Sequence, residues 1–176
     1  MMAAQNSNLQ QSTSDELQFA TNPPTTGVRL KAAPPELPAE LKENVGETCA
    51  ALWRGPIALS AITDSRIQAL AATARTYPDD WNRVRVAMKE TQLSSAYLSV
   101  RFKERTGLTL RSYTLWMKLE KAFALSLTGV CPADAAAFAG FTDQSHLGRA
   151  ARRFAQKSYG KALRDLKEAL SKTASG

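Results

Sequence analysis

A group of polar side chains behind a short turn carries the sharpest chemical signal in this 176-residue sequence. Gln144, Ser145, Arg149, Arg152 and Arg153 follow Thr142 and Asp143, either of which can cap a helix. On such a helix the five share a solvent side with Gly148, which has no side chain and allows only close backbone approach. Amide, hydroxyl and guanidinium groups in the first turns of a helix can hydrogen-bond base edges in a major groove, Gln and Arg in pairs. Gln144, Ser145 and Arg149 therefore read as base contacts. Arg152 and Arg153 suit phosphates, which position a protein without reading sequence.

Competing chemistries have little material. The sole histidine, His146, lies inside the same segment, where helix packing or a phosphate hydrogen bond suits it better than catalysis. Two cysteines, Cys49 and Cys131, make neither a disulfide framework nor a four-thiolate zinc site. Neither a Gly-rich phosphate loop nor a paired-carboxylate site can be assembled, and adjacent Asp79 and Asp80 need only cap a helix. The expectation is a non-enzyme with no cofactor and no metal. No run of 18 apolar residues spans a bilayer and no secretory leader is evident, so a cytoplasmic protein is expected.

The charge is uneven. Residues 1–64 carry four basic and seven acidic side chains, net −3, whereas residues 65–176 carry 19 basic and nine acidic, net +10. A field of that sign over one segment favours a polyanionic partner. Lys103, Arg105 and Arg111 add a second basic cluster suited to phosphates.

The elements that must hold these residues are helical throughout. Residues 1–40 are polar, hold five of the eight prolines and read as a disordered tail. Residues 41–63 read as a weakly ordered linker. From Asp64 the apolar spacing becomes helical: Ile67, Leu70, Ala71 and Ala74, then Trp81, Val84, Ala87 and Met88 behind Asp79 or Asp80. A third helix follows Ser94, with Tyr97, Leu98 and Phe102 inward and Thr106-Gly107 as its stop. A long helix runs from Thr109 to about Thr128. Pro132 opens a short Ala-rich helix broken at Gly140, with Ala136 allowing close approach and Phe141 plugging the angle before the next helix. The last runs roughly Tyr159 to Lys172. The fold class is all-α.

Ala139-Gly-Phe-Thr-Asp-Gln-Ser-His-Leu147 resembles the second helix-turn-helix of the AraC/XylS family of bacterial transcription regulators. Leu98-Ser99, Phe102-Lys-Glu-Arg-Thr-Gly107, Tyr113 and Lys118-Leu-Glu-Lys-Ala122 match other family segments in order. The resemblance covers about residues 64–165. It implies about seven helices: a first half (64–107), a linker helix (109–128) and a second half (131–172), each half a helix-turn-helix that offers one helix to double-stranded DNA. A linker helix of about 20 residues is roughly 30 Å long, close to the ~34 Å between successive major-groove faces. One chain would then read adjacent half-sites as a monomer. Activation through contact with RNA polymerase is implied by the resemblance alone.

The departures fall mainly in the first half. Family base-reading positions correspond here to Ala96, Ser99 and Val100, and the last of these is commonly Arg. Arg101 stands one residue on, rotated by about 100° toward phosphate or solvent. Gln92 takes the turn-glycine position, and Met88 the close-packing alanine position. In the second half Ala151 replaces a usual Phe and Tyr159 a usual Pro. The second half is therefore expected to supply most specificity. The alternative is a protein-interaction module on the same scaffold, with DNA readout lost or nonspecific.

Overall fold

The structure is a computed structural model that describes residues 33 and 35–173. The expected tail over 1–40 lies outside these residues except at its end. Eight α-helices follow in order: α1 (Ala39–Trp53), α2 (Ser65–Thr76), α3 (Trp81–Glu90), α4 (Ser95–Thr106), α5 (Leu110–Leu127), α6 (Pro132–Phe138), α7 (Gln144–Ala155) and α8 (Tyr159–Thr173). A 3₁₀ turn occupies Leu59–Ala61. No strand occurs among the described residues, and none of these helices is long and apolar enough to cross a membrane.

Side-chain caps set where most helices begin. Asp64 accepts from the Arg66 and Ile67 amides, Asp80 from Arg83, Ser94 from Tyr97, Thr109 from Ser112 and Asp143 from His146. Each satisfies a first-turn donor that would otherwise have no partner within the helix. Gly107 ends α4 at φ 81°, a left-handed conformation that costs glycine little.

α5 is the central rod. Its 18 residues span about 27 Å, and Tyr113, Trp116, Met117, Leu119, Phe123 and Leu125 are buried around it. Aromatic pairs join it to both halves. Phe102 of α4 meets Tyr113 edge-on at 5.4 Å, Phe154 of α7 meets Trp116 edge-on at 5.1 Å, and Tyr159 of α8 stacks on Phe123 at 4.9 Å. Tyr159 also donates its hydroxyl to the Ala122 carbonyl at 2.8 Å.

Two expectations need correction. Residues 41–63 are not a weakly ordered linker: α1 occupies most of the segment and buries Val45, Gly46 and Cys49. Its inward stripe is short, and the apolar surface that stabilises it comes from α5 and α8, distant in sequence. Tyr97 does not point inward but is 46% exposed. Leu98 and Phe102 already fill the i, i+4 inner row, and Tyr97 is rotated about 100° from it.

Candidate nucleic-acid interface

α7 is divided cleanly along its length. Leu147, Ala150, Ala151 and Ala155 are buried, whereas Gln144, Ser145, Arg149 and Arg152 are exposed. The small residues of the inner row let α7 sit close to α5 and α6, where Ala135, Ala136 and Ala139 are fully buried. The turn before it is fixed by Phe141, whose amide donates to the Ala136 carbonyl at 2.9 Å and whose ring is buried. Gly148 sits on the outer side, and nothing lies within 4 Å of where its Cβ would be. The four polar groups thus stand around a site where the helix backbone itself can be approached.

His146 lies at the edge of this face. Its Nδ1 is 2.9 Å from Thr142 Oγ1, and its ring meets Phe141 edge-on at 5.2 Å. Burial lowers its pKa first, and the charges of Arg149, Lys118 and Arg111 lower it further against the opposing pull of Asp143. Burial and then the neighbouring cations disfavour the charged imidazole, and a phosphate brought close to the ring would act in the opposite direction. Lys118 of α5, itself half-buried, donates Nζ to the Gly140 carbonyl at 2.9 Å and so anchors the turn.

The phosphate candidates are not equivalent. Arg152 is exposed on the outer face. Arg153 is exposed too, but its Nη2 donates to Ser112 Oγ on α5 at 2.8 Å, which ties the two helices together. Lys103 and Arg111 are exposed. Arg105 is half-buried, and its Nε is a buried donor without a protein partner. Arg101 donates Nε to Tyr97 Oη at 3.0 Å and Nη1 to Glu104 at 3.2 Å. These bonds turn its guanidinium along α4 rather than outward.

The two halves can be aligned on Leu98 and Leu147, each buried one turn into its helix. Ala96, Ser99, Val100 and Lys103 of α4 then stand where α7 carries Ser145, Gly148, Arg149 and Arg152, and all four α4 positions are exposed. Ser99 spends its hydroxyl proton on the Ser95 carbonyl at 2.8 Å, leaving lone pairs for an outside donor. Val100 is 57% exposed. The α4 face therefore offers methyl groups where α7 offers a guanidinium. Arg101 falls opposite buried Ala150, so its position belongs to the side of the helix and not to the outer row.

The turns differ as well. Three residues (91–93) separate α3 from its following cap, against four (139–142) before Asp143. Gln92 reaches the left-handed region without glycine, at φ 56°. Lys118 and Asp79 support the site, a role that sequence reasoning gave to neither: Asp79 reads there only as a cap and Lys118 only as part of the linker helix. Asp79 stands against Gly140, and its carboxylate pairs with Lys121 at 3.3 Å. A lysine within the apolar stretch of α5 was the available signal for the first; the second is a contact between distant segments with no local signature.

Among the described residues no group of three or more His, Cys, Asp or Glu is placed to hold a metal ion. Residues 88–165 match a family model described as a helix-turn-helix domain, from the last turn of α3 into α8. No curated protein and no solved structure matches the chain significantly.

Proposed function

From the match of residues 88–165 to a helix-turn-helix family model we propose that the protein is a transcription regulator of the AraC type that binds double-stranded DNA sequence-specifically through two adjacent major-groove half-sites. The observation that carries this reading is the outer face of α7, where Gln144, Ser145, Arg149 and Arg152 surround the open backbone at Gly148. Gln144 and Arg149 supply paired hydrogen bonds to base edges, Ser145 a single one, and Arg152 a phosphate contact. Arg153, Lys103, Arg105, Arg111 and Arg101 are further cations near the two faces, with Arg153 and Arg101 partly committed within the protein. His146 completes the phosphate side of α7 once it gains a proton.

α4 serves the other half-site with Ala96, Ser99 and Val100. It is the weaker reader, because it contributes only one hydroxyl and two apolar groups to direct readout. One chain carries both helices, so a monomer suffices on DNA. An activating role through RNA polymerase rests on family resemblance. A second reading, a protein-interaction module, draws on Tyr97 and Val100 of α4, both large, apolar and exposed.

Selection of binding sites from random duplexes, followed by binding assays on the best site, tests the proposal. Arg149→Ala is expected to cost about 1–3 kcal/mol and to relax preference at one base pair. Arg152→Ala is expected to weaken all sequences alike and flatten the salt dependence. A chain with no sequence preference, and with neither substitution affecting DNA affinity, would overturn the assignment in favour of the second reading.

A further inference from the structure

α1 and the chain that follows it lie outside the matched domain yet touch every part of the fold that carries a recognition helix. α1 packs on α5 and α8 and reaches α7. Val45 and Cys49 are buried in that contact, and Trp53 lays its ring on Phe123 at 5.4 Å, the same ring that stacks on Tyr159. These contacts attach the segment to the second half.

Its attachment to the first half is as definite. A Cβ at Gly46 would stand 2.9 Å from Nη2 of Arg75 at the end of α2, and 3.3 Å from Oε2 of Glu120 on α5. Ile57 donates its amide to the carbonyl of Thr106, the last residue of α4, at 2.9 Å. That carbonyl is one of the last four of the first recognition helix, which have no partner inside the helix itself. Gln68 of α2 donates Nε2 to the Leu59 carbonyl at 2.9 Å, and Ile62 is buried. Gly55 lies against Trp116 so closely that a Cβ there would be 2.7 Å from the ring.

We propose that residues 37–62 form a brace that fixes the separation and rotation of α4 and α7, so that this chain accepts one spacing between its half-sites and rejects others. The DNA consequence rests on the function proposed above; the mechanical claim does not. Inserting one base pair shifts a half-site by about 3.4 Å and turns it by about 35°. Two helices joined through α5 and the Gly140–Asp79 contact can follow part of that displacement by flexing. Two helices also tied through Trp53 and Ile57 cannot. Ile57 and Trp53 are positioning residues: neither belongs to the faces assigned to DNA.

Two variants and two readouts test the brace. Ile57→Pro removes the amide that holds Thr106, at a side chain that is 44% exposed, so folding should survive. Trp53→Ala removes the half-buried ring on Phe123 and keeps the test open should proline at 57 disturb folding; cooperative melting qualifies either variant. The first readout needs no DNA. Spin labels on Ser99→Cys and Ser145→Cys, with Cys131→Ser, report the distance between the two outer faces; Cys49 is 1% exposed and does not label. A narrow distribution in the parent that broadens in either variant supports the brace, and equal widths overturn it. The second readout compares the selected duplex with one carrying a single inserted base pair. The parent should lose about tenfold or more in affinity, the loss of at least one well-made base contact, and the variants markedly less. Equal losses overturn the spacing claim. Should the chain prefer no duplex, the DNA reading fails on that result, while the distance measurement still decides the brace.

Discussion

The turn of the second helix-turn-helix meets the first half where Gly140 lies against Asp79, so closely that a Cβ at 140 would stand 2.5 Å from Asp79 Cβ and 3.3 Å from its Cα. Gly140 has φ 80°, and its carbonyl accepts from Lys118, while Lys121 pairs with Asp79 beside it. The residue that makes the turn possible is also the residue that lets the halves meet.

Gly140→Ala should therefore be costly for two independent reasons. The left-handed conformation penalises any Cβ, and this one meets backbone-proximal atoms rather than a flexible tip. A loss of about 2–4 kcal/mol is expected in urea unfolding. Gly148→Ala, on the open outer face, should leave stability within about 1 kcal/mol and helix propensity slightly improved. Equal losses at both sites would show that the Asp79 contact does not hold the turn.

The outer face of α4 makes a prediction about DNA chemistry. Val100 and Ala96 present only methyl groups, which complement the C5-methyl of thymine. Replacing thymines of the first half-site with deoxyuridine should weaken the parent, and the effect should shrink in Val100→Ala. No change with deoxyuridine anywhere in that half-site would remove α4 from direct readout.

His146 should give stability and DNA binding opposite responses to pH. Its pKa lies below the ordinary 6.5 because of burial and the Arg149, Lys118 and Arg111 charges. The unfolded chain therefore binds the proton more readily, and this contribution to stability, fully present above pH 6.5, declines as pH falls below it. A phosphate near the ring would reverse the preference, so DNA affinity should rise over the same interval. His146→Gln should flatten both trends, read by thermal melts and binding assays between pH 7.5 and 5.5. A parent and variant with parallel profiles would exclude His146 from either role.

Glu120 is buried where α1, α2 and α5 meet, and it accepts from Trp116 Nε1. Burial raises its pKa, while Arg75 and the Trp116 bond pull the other way. The folded chain thus holds this proton more tightly, so its contribution to stability falls as pH climbs from the ordinary carboxylate value through the raised one. Glu120→Gln keeps an acceptor for Trp116 and should flatten that decline. Glu120→Leu leaves the indole N–H unsatisfied and should cost about 1–3 kcal/mol in urea unfolding. If Leu and Gln behave alike, the indole bond contributes nothing.

The helices from α2 onward were legible because their signals are local. Asp64, Asp80, Ser94, Thr109 and Asp143 each cap the helix that the spacing of apolar residues predicts. The exposure of Gln144, Ser145 and Arg149 followed from the same periodicity, since Leu147 and Ala150 fix which side is inward. α1 was not legible: with only Val45, Gly46 and Cys49 buried, its stripe is too short to stand out, and its stability is supplied by distant helices. Tyr97 reads as core because it is an aromatic beside Leu98, and only the i, i+4 row of Leu98 and Phe102 shows that it faces outward. Periodicity alone reads Arg153 and Arg101 as outward cations; their bonds to Ser112 and Tyr97 depend on neighbours that periodicity does not specify.

The division of α7 into a packed row and an outward row has a consequence for how such a protein changes over generations. Substitutions at Gln144, Ser145, Gly148 or Arg149 remove nothing from the interior, so under the proposed function preferred operators can drift one base at a time without eroding the scaffold. The alanines at 150, 151 and 155 have no such liberty, because a larger group at any of them would push the whole helix away from its seat.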